Sequence, residues 1–397
     1  MHESRLAAVD DREPRPHVPL LVIGAGPYGL ATAACAKSAG IGQLVVGKPM
    51  AFWRENMPAG MFLRSGPDWH LDAAGVNTFM AYLDECGIDP SDVDPIPVAL
   101  FLDYVDWFKE RTDVDVMPEL VRDLSKPDGR FVATLESGRR VSADAVVAAP
   151  GISHFTVIPE WVEGSLSPGR WTHTCHLVRF DQLRGKRVLI VGGRQSAFEW
   201  AALLADGDAA EIHVVYRHYT PEFAASEWHF VDPMMDLTTT VPGWFRNLPS
   251  EEREAIAKRF WAEGRLKLEP WLTPRLEKPS VHRWPNTSVT ACEEVPDGEI
   301  EARLSTGERL AVDHVVLATG YKPDMREVPY LSGVIDRMEL ADGFPVLDDH
   351  FQSSVPGLFV TGFPATRDFG PFFGFVRGCP MAATLTTAGL AEALDRA

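Results

Sequence analysis

The stretch LLVIGAGPYG, Leu20 to Gly29, has a counterpart far downstream in VLIVGGRQSA, Val188 to Ala197. In each, an apolar strand runs into a glycine turn and then opens a helix of small residues. Each also has a partner segment of equal length: GRFVATLESGRRVSADAVVAAPG (Gly129 to Gly151) and GEIEARLSTGERLAVDHVVLATG (Gly298 to Gly320). Gly138 and Gly307 hold equivalent places, as do Asp144 and Asp313. Gly24 precedes Gly151 by 127 positions and Gly192 precedes Gly320 by 128. One such turn is weak; two at matching spacing imply a duplicated unit. The expected fold is α/β, with two Rossmann-like dinucleotide-binding domains, the second inserted into the first.

The glycines have separate tasks. In Gly24-Ala25-Gly26-Pro27-Tyr28-Gly29, the first allows the tight turn, the second admits a pyrophosphate to the backbone, and the third lets helix pack on strand. The helix start then offers free N–H groups and partial positive charge. The first unit lacks the acid that usually holds the ribose, since strand 43–46 runs into Gly47-Lys48; backbone or Lys48 must serve instead. In the second turn, Gly192-Gly193-Arg194-Gln195-Ser196-Ala197, Arg194 replaces the middle glycine. Its side chain either obstructs a pyrophosphate or clamps it, and its charge favours clamping. Arg217 and His218 follow the next strand, where cations suit the 2′-phosphate of NADP.

A net charge of −18 over 397 residues argues against nucleic acid and anionic membranes as partners. Five scattered cysteines without a CxxC pair suggest reduced thiols in a cytoplasmic protein, with no metal site. Val18 to Ala36 is uncharged, yet Gly24, Gly26, Pro27 and Gly29 break it, so a strand, turn and helix explain it better than a membrane span.

Residues 1–17 read as a loose polar tail. Strands are expected at 20–24, 43–46, 187–191 and 212–216, and helices to about Ser38 and Leu204. In the helix Val98 to Arg111, Leu102, Val105 and Phe108 share a face. Phe52 to Gly75 reads as a long functional loop, and Trp161 to Leu183 as a connector. Residues 219–289, rich in aromatics and prolines, have no counterpart in the first unit and read as a mainly helical insertion. Its clearest helix is capped by Ser250 and closed by Gly264. Gly357 to Gly362 reads as a last buried strand, and Gly378 opens a terminal helix.

Together with Ala318-Thr319-Gly320-Tyr321, the two turns resemble the class B flavoprotein monooxygenases, which carry both FAD and NADPH and include the ornithine/lysine N-hydroxylases. The loop from Phe52-Trp53-Arg54 through Met61 to Arg64-Ser65 is similar to the family's stretch beside the flavin ring, and Leu71-Asp72 with Phe79 to Leu83 is most like the N-hydroxylases. The resemblance implies an FAD-binding domain over 18–165 and 314–397 and an NAD(P)H-binding domain over 166–313. It implies that Gly24, Gly26, Pro27, Tyr28, Gly29, Lys48, Trp53, Arg54, Arg64, Gly362 and Gly378 serve FAD. It assigns Gly192, Gly193, Arg194, Gln195, Ser196, Arg217, His218, Gly320 and Tyr321 to NADP. The implied activity is oxygenation of a small amine or sulfur nucleophile with NADPH and O2, by way of a flavin C4a-hydroperoxide. Of the family's FxGxxxHxxx[FYW] motif only Gly169 and His173 are met; Ser167 and Leu177 fill the aromatic places, which argues against a Baeyer–Villiger enzyme.

Such a cycle asks few acids or bases of the protein. His70 and Asp72, on the loop expected beside the flavin, are the candidates for proton handling. The helix after Gly378 is a candidate to face the flavin with its positive end. Trp228, Trp244, Phe260 and Trp261 are candidates to line a substrate pocket. Two other readings stay open: a reductase passing electrons to a protein or quinone, and a flavin-binding redox sensor in which Arg194 closes the second site.

Overall fold

A computed structural model describes residues 16–225 and 228–395. Its core is two sheets built on one plan, the first mixed, with Phe131–Leu135 and Val121–Ser125 added antiparallel, and the second parallel throughout. In the first, the order is Val116–Met117, Gln43–Val46, His17–Ile23, Arg140–Ala148, Phe131–Leu135, Val121–Ser125. The central pairing sets Leu21 beside Leu44 on one side and Val146 on the other. Leu20, Leu21 and Val22 are fully buried, as strands covered on both faces must be. The second sheet runs Val281–Trp284, Glu211–Val215, Arg187–Val191, His314–Leu317, Trp171–His173, all parallel.

The helix Pro27–Ser38 covers the first sheet and packs on the terminal helix Cys379–Leu394. Buried Ala31, Ala33 and Ala34 meet a partner carrying Ala382, Ala383 and Gly389, and the small side chains let the two backbones approach closely. Helix Gln195–Asp206 holds the equivalent place in the second unit.

Several expectations need correcting. Residues 1–15 of the expected tail lie outside the described residues; His17 belongs to the first strand, and the Pro16 carbonyl accepts from Ser142 N. The connector over 161–183 contains Trp171–His173, which fills beside His314–Leu317 the place that Leu358–Val360 fills beside Arg140–Ala148. Each sheet thus gains a strand from outside its own repeat, a long-range pairing that local pattern does not announce. His314–Leu317 belongs to the second sheet, so the return to the first lies beyond Gly320 rather than at 314. The insertion likewise ends earlier than 289, because Val281–Trp284 pairs with Glu211–Val215, as Val116–Met117 pairs with Gln43–Val46. The helix Ser250–Arg259 is preceded by Pro249, without a Ser250 side-chain cap, and continues as a π-helix Phe260–Arg265. Gly264 lies inside that π-turn, where a Cβ would stand 2.5 Å from the Trp228 ring. In Val98–Thr112 the buried stripe is Phe101, Tyr104, Val105 and Phe108, and Leu102 is only half-buried.

The outward and return crossings between the units are tied together. Thr156 and Tyr321 form a bridge, Val157 N donates to Gly320 O at 3.0 Å, and Lys322 N donates to Phe155 O at 2.8 Å. His173 anchors the same point: its Nε2 lies 3.2 Å from Gly320 O, and its Nδ1 accepts from Cys175 N at 3.1 Å. Burial pushes this imidazole down to about 4, so it is neutral and can donate from one nitrogen while accepting at the other. No helix among the described residues is long and apolar enough to cross a membrane.

Candidate functional site

Where the strand ends of both sheets face each other, a cleft of about 1240 Å³ opens, with both glycine turns in its walls. The first turn shows what each glycine does. Gly24 has φ +109°, and a Cβ there would sit 2.3 Å from the Ala149 carbonyl oxygen. A Cβ on Gly29 would reach within 1.8 Å of the Gly24 carbonyl oxygen. Gly26 differs: its φ is −86°, and a Cβ would meet nothing within 4 Å. No packing inside the protein explains that glycine, but a ligand drawn against the backbone does. The helix it opens has no side-chain cap and no acid in its first turn, so its leading N–H groups stay available to an anion.

The second turn matches in backbone and differs in side chain. Arg194 is extended at φ −109°, ψ −175°, close to Gly26 at −86°, −174°. Its guanidinium lies 3.4 Å from the centroid of the Trp261 ring. Burial, with Arg265 and Arg217 nearby, pushes it down to about 10, which leaves it charged at neutral pH. Gly193 makes room for Tyr216 and His218, whose Nε2 would stand 2.8 Å from a Cβ there.

Eighteen of the predicted positions need little comment beyond place. Gly24, Gly26, Pro27, Tyr28, Gly29, Lys48, Trp53, Arg64 and Gly362 line the cleft on the first side. Gly192, Gly193, Arg194, Gln195, Ser196, Arg217, His218, Gly320 and Tyr321 line it on the second. Tyr28 also donates its hydroxyl to the Phe373 and Phe375 carbonyls, at 2.5 and 2.8 Å, and so fixes the segment before the terminal helix. Arg64 bonds Glu269 at 2.8 Å and the Gly264 and Lys267 carbonyls, joining the first unit to the insertion.

Four predicted residues fall outside the lining. Arg54 turns away to Asp106, 2.7 Å distant. Gly378 lies beneath Tyr28, where a Cβ would stand 2.4 Å from the hydroxyl, so its smallness serves packing. Asp72 accepts from the backbone N–H groups of Ala74, Val76 and Asn77 at 3.1, 3.0 and 2.6 Å, which makes it the organiser of a turn. His70 is half-buried, and burial lowers its imidazole below the ordinary value. Asp72→Ala is therefore expected to cost about 2 kcal/mol of stability through three lost charged hydrogen bonds. Thermal unfolding against turnover checks this: a large fall in kcat with an unchanged melting point would restore the catalytic reading. Of the four candidate aromatics, Trp228 lines the cleft, while Trp261 contributes through Arg194.

Glu199 and Arg265 are among the lining residues that the sequence does not single out. Glu199, one turn after Gln195, is buried among apolar neighbours of the second helix and accepts from the backbone of Phe62. Burial outweighs the pull of Arg275 and Arg64 and pushes its carboxyl up to about 8. A lone acid in QSAFEWAALL was the available signal. An acid raised on folding favours the native state most at low pH; stability then falls as pH climbs from 4.5 through about 8 and is level above. The fall is at most about 1.4 kcal/mol per pH unit. Glu199→Gln is expected to flatten it, giving the variant the higher melting point at pH 8. Parallel melting curves for variant and parent would remove Glu199 from this role. The second residue, Arg265, had no local signal, because only the packing of the insertion brings it to the cleft.

Two nucleotide cradles facing across one cleft define a two-domain oxidoreductase that works with dinucleotides. Residues 21–235, more than half the chain, match the family model for pyridine nucleotide-disulphide oxidoreductase, and residues 257–367 match a second model of that description. The chain belongs to this family, although its five cysteines are all free thiols. It is 25% identical to a probable indole-3-pyruvate monooxygenase of Arabidopsis thaliana over 339 residues, 77% of this chain and 75% of that one. It is 29% identical to an FAD-dependent urate hydroxylase of Xanthomonas campestris over 281 residues, 65% of this chain and 56% of the relative. In fold it is similar to the Kutzneria sp. 744 ornithine N-hydroxylase, solved with reduced FAD, NADP+ and L-ornithine. That likeness has a TM-score of 0.77 at 17% identity, covering 95% of this chain and 99% of that one.

Proposed function

We propose that this chain is a flavin-dependent monooxygenase that holds FAD in the cradle of Gly24 to Gly29 and NADPH in that of Gly192 to Ala197, and uses O2 to oxygenate a small amine or sulfur nucleophile. The flavin unit would comprise 18–165 with the chain beyond Gly320, and the nicotinamide unit the stretch between. The observation that carries the reading is Gly26, a glycine that the fold does not require, beside an uncapped helix start. FAD, when bound, supplies the hydride acceptor and the oxygen-activating centre; the oxygen-transferring adduct expected from the resemblance is part of this proposal. The protein's share is binding and exclusion of water. The N–H groups at Tyr28 and Gly29 would hold a pyrophosphate, and Lys48, Trp53 and Met61 to Ser65, which line the same cleft, would take the ribose and the ring. Arg194 and Arg217 would meet the phosphates of the second nucleotide.

Stopped-flow mixing of the reduced holoenzyme with oxygen, with and without NADP+, tests the reading. An adduct absorbing in the near ultraviolet, longer-lived with NADP+, is expected. Rapid reoxidation without it, together with fast reduction of quinones, would instead identify a reductase. Arg217→Ala is expected to raise KM for NADPH about tenfold while changing KM for NADH little, through loss of a charged contact to the 2′-phosphate. Equal changes for the two coenzymes would end that assignment.

A further inference from the structure

The wall of the cleft between the two cradles offers hydrogen-bond donors with nothing to receive them. Gln195 and Trp228 are each 9% exposed, and Gln195 Nε2 and Trp228 Nε1 have no partner among the described residues. Gln195 Oε1 is already used, accepting from Glu269 N at 3.3 Å. Arg265 lines the same wall and makes no ion pair among the described residues. Its guanidinium rests on aromatic faces, 5.1 Å from the Phe375 centroid and 5.2 Å from that of Trp261. The charge acting on it is Arg64, another cation. The acids of this wall are otherwise engaged: Glu269 pairs with Arg64, and burial pushes the Glu199 carboxyl up to about 8. The groups are contiguous, since the Trp228 and Phe375 rings pack at a tilt of 46° with centroids 5.5 Å apart, and Arg64 lies 5.9 Å from the Trp228 centroid.

Buried donors without acceptors are costly, and a guanidinium among them costs more. An ammonium or amine placed here would face cations and N–H groups. An oxyanion is the partner that Arg265, Trp228 and Gln195 each lack, and the rings of Trp228 and Phe375 offer a face to a flat apolar body. We propose that this part of the cleft is the substrate subsite and that it takes the carboxylate of a planar aromatic acid, with the nucleophilic nitrogen or sulfur at the opposite end of the molecule. The inference rests on the monooxygenase reading and names the class of substrate that it uses.

The same oxyanion chemistry could come from a phosphate of NADPH, so the test carries both. The FAD-loaded protein is titrated with 2-naphthoate, with 2-naphthamide and with NADP+, following the flavin spectrum. The acid is expected to bind at least about tenfold more tightly than the amide, the size of one charged hydrogen bond. Arg265→Gln is expected to abolish that preference while shifting the NADP+ Kd less than about twofold, and Arg265→Lys to keep part of it. Equal or weaker binding of the acid by the parent protein overturns the proposal. So does an Arg265→Gln variant that loses NADP+ as steeply as naphthoate, which would assign the arginine to the coenzyme. Should Arg265→Gln fail to hold flavin, the parent's ratio of acid to amide decides. A parent protein that refuses FAD altogether would instead sink the monooxygenase reading.

Discussion

Gly26→Val is expected to give a folded but colourless protein. The position has an ordinary φ of −86°, and a Cβ there points into open cleft, so the chain itself has room for the branched side chain. The room is what a pyrophosphate needs to reach the backbone. Flavin content should drop to near zero, while the stability of the apoprotein stays within the roughly 0.5 kcal/mol typical of harmless surface changes. Gly29→Ala is the contrast. Its Cβ would be driven to 1.8 Å from the Gly24 carbonyl oxygen, so the turn itself must open and the fold should suffer along with the flavin. Absorbance at the flavin band and thermal unfolding, measured on both variants, separate the two causes. A yellow Gly26→Val protein with normal flavin content would sink the assignment of the first cradle.

The second large effect is expected at Arg194. It stands where the first cradle has Gly26, and its guanidinium lies 3.4 Å from the centroid of the Trp261 ring, with Arg217 also in the wall of the cleft. Neighbouring cations favour the arrival of an anion, so the side chain reads as a phosphate clamp. Arg194→Ala is expected to raise KM for NADPH about tenfold to a hundredfold, the range for one charge-assisted hydrogen bond. Arg194→Gly, which restores the usual glycine pattern, should do the same. A fall in KM for NADPH in either variant would show that the arginine obstructs the site, and would favour the redox-sensor alternative.

How much of this was legible in the chain varies residue by residue. The strand, turn and helix from His17 to Ser38, and its copy from Arg187 to Asp206, could be read because their pattern is local: continuous apolar runs, glycines at set offsets, then small residues. From its place in a loop Asp72 reads as a proton handler, yet its carboxylate accepts from three backbone amides two to five residues away. That is ordinary turn chemistry for aspartate and a fair warning for any acid in a tight loop. Glu199 was visible as an acid in an apolar helix, but its protonation depends on how deeply the helix is buried against Phe62 and its neighbours. Trp171–His173 could not be read as a sheet strand, because its partner His314–Leu317 lies more than a hundred residues away.

The chain by itself determined the duplication, the α/β class and the two glycine turns, because each depends on contacts between residues close in sequence and on backbone conformations that glycine alone permits. Only the tertiary structure decided which charges face the cleft. It turned Arg54 outward to Asp106, drew Arg64 onto Glu269, and carried Arg265 from an insertion with no sequence signature to the wall between the cradles. The physical reason is that the energy of a charge is set by what surrounds it in space. Burial, aromatic faces and the absence of a counter-ion are properties of packing, and no spacing along the chain encodes them.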